Sequence, residues 1–490
     1  MGKLNLSDKA VVISIGQGIS SAITFISGMF LVRLVSKEDY GTYMQVLLVY
    51  SILAPILSMG ISTSIYYFIP RLSDEEQKTF AWQTIAVSFL LGFISSLILY
   101  MASGIFSNRF NNSELKPLLH IYFLFPLFKF PISCLLPFLI VANRCSRAAV
   151  MEVISVILLE ILSVVVPLAL GYDLLLVFRA KVFFAGVIFL VVLWHIIKIY
   201  GGLPRLNAKL LQSQLKYSVP LGLSSIAGYI TRQVDKLLIS AFFSVTSYAI
   251  YARGAFEIPF IDVLAGAVMT VIMPELSRLH NEDKYDEFLR LWHESIRKVA
   301  LILLPLSVFL FIVARDLITL LYSESYVNSA NIFRIYLLLL PLRITIYGNV
   351  LLSVGLSKTI LLGSIPALLS TIVFNLLGIK FLGFYGPAVA FVLSTDILIL
   401  FYLSRIKHAL KISFSKVFPW LSVGKIMAIS CVAGVCIYPI VYLTLPNLLR
   451  FALSGMIFVL FYVLSSLKWG IICKDDVNLV KKWIGLKICK

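Results

Sequence analysis

Apolar stretches of about twenty residues recur along the whole chain between short polar segments, the length at which an α-helix crosses the hydrocarbon core of a bilayer. Fourteen can be marked, at 10–32, 41–69, 80–102, 117–142, 149–170, 174–196, 217–243, 248–274, 299–321, 331–354, 359–379, 384–404, 420–443 and 451–467. Several hold proline inside the run, at Pro126, Pro131, Pro137, Pro167, Pro259, Pro305, Pro341 and Pro366. Runs of that length with internal proline exclude a barrel of short alternating strands, whereas a kinked spanning helix is tolerated where its neighbours satisfy the freed carbonyls. The pattern therefore predicts an all-α polytopic membrane protein of about 14 transmembrane helices. Outside the runs, AKLLQSQLKY at 208–217 and the amphipathic stretch 285–298 predict two short helices on the membrane surface. The tail KDDVNLVKKWIGLKICK reads as a basic surface anchor.

The apolar pattern repeats. IYFLFPLFK at 121–129 returns as IYLLLLPLR at 335–343, with a cation closing each copy: Lys129 and Arg343. Ser36, Tyr40 and Tyr43 recur as Ser244, Tyr248 and Tyr251, and Arg71, Leu72 and Glu75 as Arg278, Leu279 and Glu282. Each unit holds six runs, an even number, so the two copies share one orientation and a pseudo-two-fold axis along the membrane normal relates them. The expected organisation is an N-terminal six-helix lobe over 1–200, a C-terminal six-helix lobe over 201–410, and an extra helix pair with a basic tail over 411–490. Gly201, Gly202 and Pro204 mark the linker between the lobes.

Composition sharpens this reading. Only 13% of the 490 residues are charged and 60% are hydrophobic, against about 25% charged in soluble domains. The net charge of +18 invites a nucleic-acid reading, but placement argues otherwise. With a cytoplasmic N-terminus, 26 of the 42 basic residues fall on the cytoplasmic side, six on the other and ten within runs. That asymmetry predicts a multi-pass cytoplasmic-membrane protein with both termini in the cytoplasm. The first run is too long for the core of a cleaved signal and is expected to remain as a span. The six cysteines form no CxxC pair, which argues against a disulfide framework or a zinc site.

Ten basic and seven acidic residues lie within the runs. A Lys or Arg near a helix centre costs about 2.5–3.5 kcal/mol on insertion scales, so such residues face protein or water. Lys129 and Arg343 each fall about 18 Å into their runs, close to the bilayer midplane. Two readings stand for them. They hold an anionic group such as a pyrophosphate, Arg by its fork and Lys as a point charge, or each is neutralised inside its own lobe, by Glu160 and Asp396 respectively. Arg232, Asp235 and Lys236 are spaced to share one helix face, as are Arg253 and Glu257. This cluster reads either as a cavity wall, with Arg232, Lys236 and Arg253 as further substrate contacts and Asp235 and Glu257 as coupling carboxylates, or as a salt-bridged hairpin. Snorkelling to the interface explains Arg179 and Lys181 as well as substrate contact does, and Arg315, Asp316 and Arg334, near run ends, are given structural roles. No HExxH, nucleophile elbow or phosphate-binding Gly-rich loop is present, so neither an enzyme nor an ATPase is expected, and no metal or cofactor.

Tyr217-Ser218-Val219-Pro220-Leu221, followed by Asp235-Lys236-Leu237-Leu238-Ile239 and then Tyr248 and Tyr251, resembles the polysaccharide-transport flippases of the multidrug/oligosaccharidyl-lipid/polysaccharide exporter superfamily. Arg33-Leu34-Val35-Ser36 with Asp39-Tyr40-Gly41 is similar to the family's first external turn. Leu320-Leu321-Tyr322 with Tyr326 and Ala330, then Gly383, Gly386 and Ala388, extend the likeness, which runs from about residue 10 to 405. The resemblance implies translocation of a polyprenyl-pyrophosphate-linked oligosaccharide by alternating access, for O-antigen, capsule or exopolysaccharide assembly. It also implies an ion or lipid gradient as driving force, with Asp235, Glu257, Glu160 or Asp396 as candidate coupling groups, and a glycan polymerase and chain-length regulator as partners. Two alternatives stand beside it: an ion-coupled multidrug antiporter of the same superfamily, disfavoured by the excess of cations in the runs, and a non-transporting scaffold of a glycan-assembly complex.

Overall fold

A computed structural model describes residues 6–202, 206–258 and 261–472. Pro204, Pro259, Cys473, Cys489 and the basic tail lie outside the described residues. Every regular element described is helical. By length and composition, ten are long and apolar enough to cross a membrane, or eleven if the bent pair Leu115–Tyr122 and Phe125–Val141 forms one span.

The broken helices explain why this count is below fourteen. The run at 217–243 is divided into Ala208–Thr231 and Val234–Phe242, and the run at 248–274 falls across Val245–Gly254 and Ile261–Asn281. The breaks coincide with Arg232 and Glu257, where charge lowers the hydropathy and the freed backbone groups need polar surroundings. The stretch Lys358–Leu410 holds two helices, Ser357–Leu382 and Gly386–Leu410, joined through a tight turn at Gly383 (φ +56°).

Neither predicted surface helix is separate. AKLLQSQLKY forms the first turns of Ala208–Thr231, capped by the Asn207 carboxamide oxygen, which accepts from the Lys209 and Leu210 amides. Gln214 is 1% exposed and its Nε2 donates to Ser64 and Thr84 at 3.0 and 2.9 Å, which anchors those turns in the helical bundle. The 285–298 stretch likewise opens the unbroken helix Tyr285–Ile312, with Phe288, Trp292 and Ile296 buried. Trp292 donates to Thr345 Oγ1 at 3.3 Å.

Packing divides the chain into two compact units, Met1–Ala252 and Arg253–Lys490. This packing boundary lies some way beyond the linker near residue 200 because Ala208–Thr231 packs on Lys37–Ser58 and Ile61–Phe68 of the first unit. A Cβ on Gly222 would stand 2.6 Å from the Met59 backbone, so only glycine permits that approach. In the same unit a buried polar chain crosses the helices: Asn112 donates to Thr42 and Gln45 at 2.8 and 2.7 Å, and Gln45 to Ser240 at 2.9 Å. Each member is satisfied by the next, as a buried polar group in an apolar bundle requires.

The two copies of the repeated motif break alike. In the first unit, Leu115–Tyr122 gives way to Phe125–Ile132, with Pro126 in the opening turn of the new helix. In the second, Ser329–Leu337 gives way to a 3-10 turn at Leu340–Arg343 opened by Pro341. Proline lacks the amide that would continue the ladder, so each helix ends ahead of it, and each cation stands in the last turn of the short helix that follows. The other matched positions differ in their bonds. Arg71 donates to the Tyr67 carbonyl, whereas Arg278 bridges Glu275 and Glu282 at 2.6 and 2.5 Å. Hydrogen bonds from Lys284 and Arg278 hold the Glu282 carboxyl below its usual range.

Candidate translocation site

In the first unit, Cys145–Val156 runs into a π-helical segment, Ile157–Val165, two residues ahead of Pro167. Pro167 cannot donate to the carbonyl four residues back, and its ring crowds that carbonyl, so the widened turns accommodate it. Glu160 lies on this segment. Its Oε1 accepts from Lys181 Nζ at 3.0 Å, and Lys181 also stands 5.6 Å from the centre of the Tyr43 ring. Lys181 is therefore a buried, paired cation, 3% exposed, and not a snorkelling one. Arg179 is exposed, and the Asp173 carboxylate caps the helix Leu174–Tyr200 by accepting from the Leu176 amide.

With Glu160 committed to Lys181, Lys129 is left without it. Lys129 is half-buried and lines a 260 Å³ cavity walled by Ser133, Leu136, Met151, Glu152 and Ser155. Among the described residues, its ammonium makes no hydrogen bond and no ion pair. A half-buried cation beside polar space has the chemistry to receive an anion. The helix carrying it is set by a close approach at Gly92, where a Cβ would meet the Pro126 carbonyl at 2.7 Å.

In the second unit Arg343 is paired. Its Nη1 and Nη2 donate to Glu257 Oε2 and Oε1 at 2.6 and 2.7 Å, the two-point geometry that a planar guanidinium favours. Glu257, and not Asp396, is thus its carboxylate. Asp396 is half-buried and, among the described residues, makes no hydrogen bond or ion pair. Glu257 is positioned by the non-helical segment after Gly254, where Phe256 stacks on Phe333 at 4.9 Å and 7°. Arg253 sits over the Tyr322 ring at 4.8 Å.

The expected shared face of Arg232, Asp235 and Lys236 does not form, because the helix stops at Thr231 and restarts at Val234. Arg232 is exposed, and Lys236 Nζ donates to the Arg232 carbonyl at 3.4 Å. Asp235 is fully buried and accepts from Tyr251 at 2.9 Å. Sequence reasoning misses that tyrosine as a partner, although its recurrence from Tyr43 singles it out.

Residues 30–331 match the family model described as polysaccharide biosynthesis protein. The chain belongs to this family. Among curated proteins none matches it by sequence. Solved structures that share its fold include the following three. Lipid II flippase MurJ, in an inward closed conformation, matches with a TM-score of 0.76 at 19% identity, over 94% of this chain and 99% of that one. An inward-facing multidrug resistance MATE family transporter of the MOP superfamily matches with 0.62 at 17% identity, over 83% and 99%. A MOP superfamily transporter from Pyrococcus furiosus, whose binding pocket has a reverse polarity that suggests a different function, matches with 0.55 at 16% identity, over 82% and 95%. These likenesses establish the fold of the MOP superfamily for this member of the polysaccharide biosynthesis family, and the proteins that share it are transporters rather than enzymes.

Proposed function

We propose that the protein is a flippase that carries a polyprenyl-pyrophosphate-linked oligosaccharide across the cytoplasmic membrane by alternating access, supplying repeat units for O-antigen, capsule or exopolysaccharide assembly. The observation that carries this reading is Lys129, a cation in the middle of an apolar run, beside a cavity and without an ionic partner among the described residues. Glu152 on the same cavity wall forms no ion pair with it, and a pyrophosphate supplies the close negative charge that Lys129 lacks. Arg343 is the second cationic contact, exchanging Glu257 for phosphate oxygens, with Arg232, Lys236 and Arg253 as further candidates. Asp235, Glu160, Glu257 and Asp396 are the candidates for coupling to an ion gradient. The family match and the fold shared with lipid II flippase support the choice of a lipid-linked sugar. We further propose fourteen spans in two six-helix lobes with an added C-terminal pair, and a glycan polymerase and chain-length regulator as partners.

Polarity separates this reading from drug export. Within the shared fold, the Pyrococcus furiosus transporter couples a change of pocket polarity to a change of suggested function, and a cationic drug gains nothing from an unpaired lysine. The test is complementation of a flippase-null strain with a surface-glycan readout. Lys129→Ala is expected to reduce export at least tenfold at unchanged membrane levels, and Arg343→Ala to reduce it less, since Glu257 already neutralises it. Wild-type export by the double variant would sink the pyrophosphate role.

A further inference from the structure

A second cavity, of 830 Å³, opens in the second unit where Ala314–Tyr322 meets the C-terminal helix Asn447–Lys468. Asp316 on its wall is 1% exposed. A guanidinium fork ordinarily covers both oxygens of a carboxylate, but Arg450 Nε and Nη2 both donate to Asp316 Oδ1. Among the described residues no donor reaches Oδ2. A buried carboxylate oxygen left unpaired costs about 1–3 kcal/mol or more, so this oxygen calls for a donor from the cavity.

The remaining wall says what kind of donor. Tyr438 and Tyr442, both exposed, present two rings 5.2 Å apart at 72°, with their hydroxyls joined at 2.6 Å. Arg315 is exposed and, among the described residues, makes no hydrogen bond or ion pair. Arg334 is held by the Phe311 carbonyl and Asn331 Oδ1 through Nε and Nη1. A simple anion is repelled by the free Asp316 oxygen and by the exposed Glu324 carboxylate, which accepts from Asn447 at 3.1 Å, and a simple cation by the three arginines. Tyrosines placed only to sit in the membrane interface need no buried carboxylate beside them. A ligand that satisfies every wall carries hydroxyl donors, an apolar ring face and a negative group.

We infer that this cavity is a binding site for an acidic saccharide. A sugar hydroxyl donates to Asp316 Oδ2, a ring face lies against Tyr438 and Tyr442, and a carboxylate or phosphate substituent meets Arg315 and Arg334. In the proposed orientation the site is on the outer face, and it rests on the flippase reading only for the source of its sugar. There it holds the glycan after translocation, apart from the pyrophosphate contacts.

The test uses the full chain in nanodiscs of zwitterionic lipid, with saturation-transfer NMR and titration of a glucuronate-containing tetrasaccharide against neutral maltotetraose. The acidic sugar is expected to bind in preference. The exposed pair Y438A/Y442A is expected to weaken it about tenfold at an unchanged melting temperature, and D316N, which keeps an acceptor for Arg450 but breaks a buried ion pair, to weaken it by a similar factor with a lowered melting temperature. K129A is expected to keep the sugar signal while losing export, so the site and the flippase reading fail separately. Equal binding of both sugars, unchanged binding in Y438A/Y442A, or loss of the signal when phosphatidylglycerol is included in the nanodisc would each overturn the proposal, the last by showing a lipid head-group site.

Discussion

At the scale of single residues, the two recurring cations have different electrostatic fates. Arg343 has a two-point carboxylate partner, with side-chain exposures of 19% for Arg343 and 31% for Glu257. Removing one partner of a fully buried pair costs about 3–5 kcal/mol, and partial exposure reduces this here to about 1–2 kcal/mol. Glu257→Gln is therefore expected to lower the melting temperature of the purified protein, and Arg343→Gln in the same background to restore much of the loss. Additive losses in that double-mutant cycle would show that the pair is not coupled. The ionisable residues of this site were legible in the sequence, because charge within an apolar run stands out. Their partners were not. Glu257 reaches Arg343 across 86 positions of sequence only because the chain leaves the helix after Gly254, and Lys181 takes Glu160 from a neighbouring helix. Pairing depends on where helices break and rotate, and no spacing rule carries that.

At the scale of elements, proline and glycine set the geometry. The helix that carries Lys129 starts at a proline-defined break and is seated where Asp74–Arg109 presents Gly92 to the Pro126 carbonyl. A backbone neighbour cannot swing aside as a flexible side chain does, so Gly92→Val forces the two helices apart at a cost of about 1–3 kcal/mol. The expected result is a lower melting temperature together with impaired glycan export, since the shift moves Lys129 with its helix. A variant of normal stability and export would show that the approach is not limiting. Helix type and the positions of most runs were legible from apolar length alone. Helix continuity was not: 208–217 and 285–298 are amphipathic both as surface helices and as the first turns of long helices. Burial of Gln214 and Trp292 decides between the two, and burial is a tertiary property.

At the scale of the whole molecule, the distribution of charge gives an expected orientation, which helix count alone does not. The turns at Asn143 and Asp283 and the segment after Leu410 lie beside strongly basic stretches. The turns at Asn111 and Gly171 and the segment 443–446 lie in stretches poor in Lys and Arg. Because translocating a basic loop is disfavoured, the first group is expected in the cytoplasm and the second outside. Single cysteines introduced at these six places, in a chain whose native cysteines are replaced, make the prediction measurable. A membrane-impermeant maleimide applied to intact cells should label 111, 171 and 444 and spare 143, 283 and 412. The alternation also tests the broken helices, because 283 shares a side with 143 only if Ala208–Phe242 and the segment from Val245 to Asn281 both cross the membrane or both re-enter. If one of them crosses and the other re-enters, 283 labels from outside, the even span count fails, and the two halves no longer share one orientation. The repeat of IYFLFPLFK in IYLLLLPLR would then place Lys129 and Arg343 at opposite polarities in the bilayer, and the idea of a common pyrophosphate depth would fall with it.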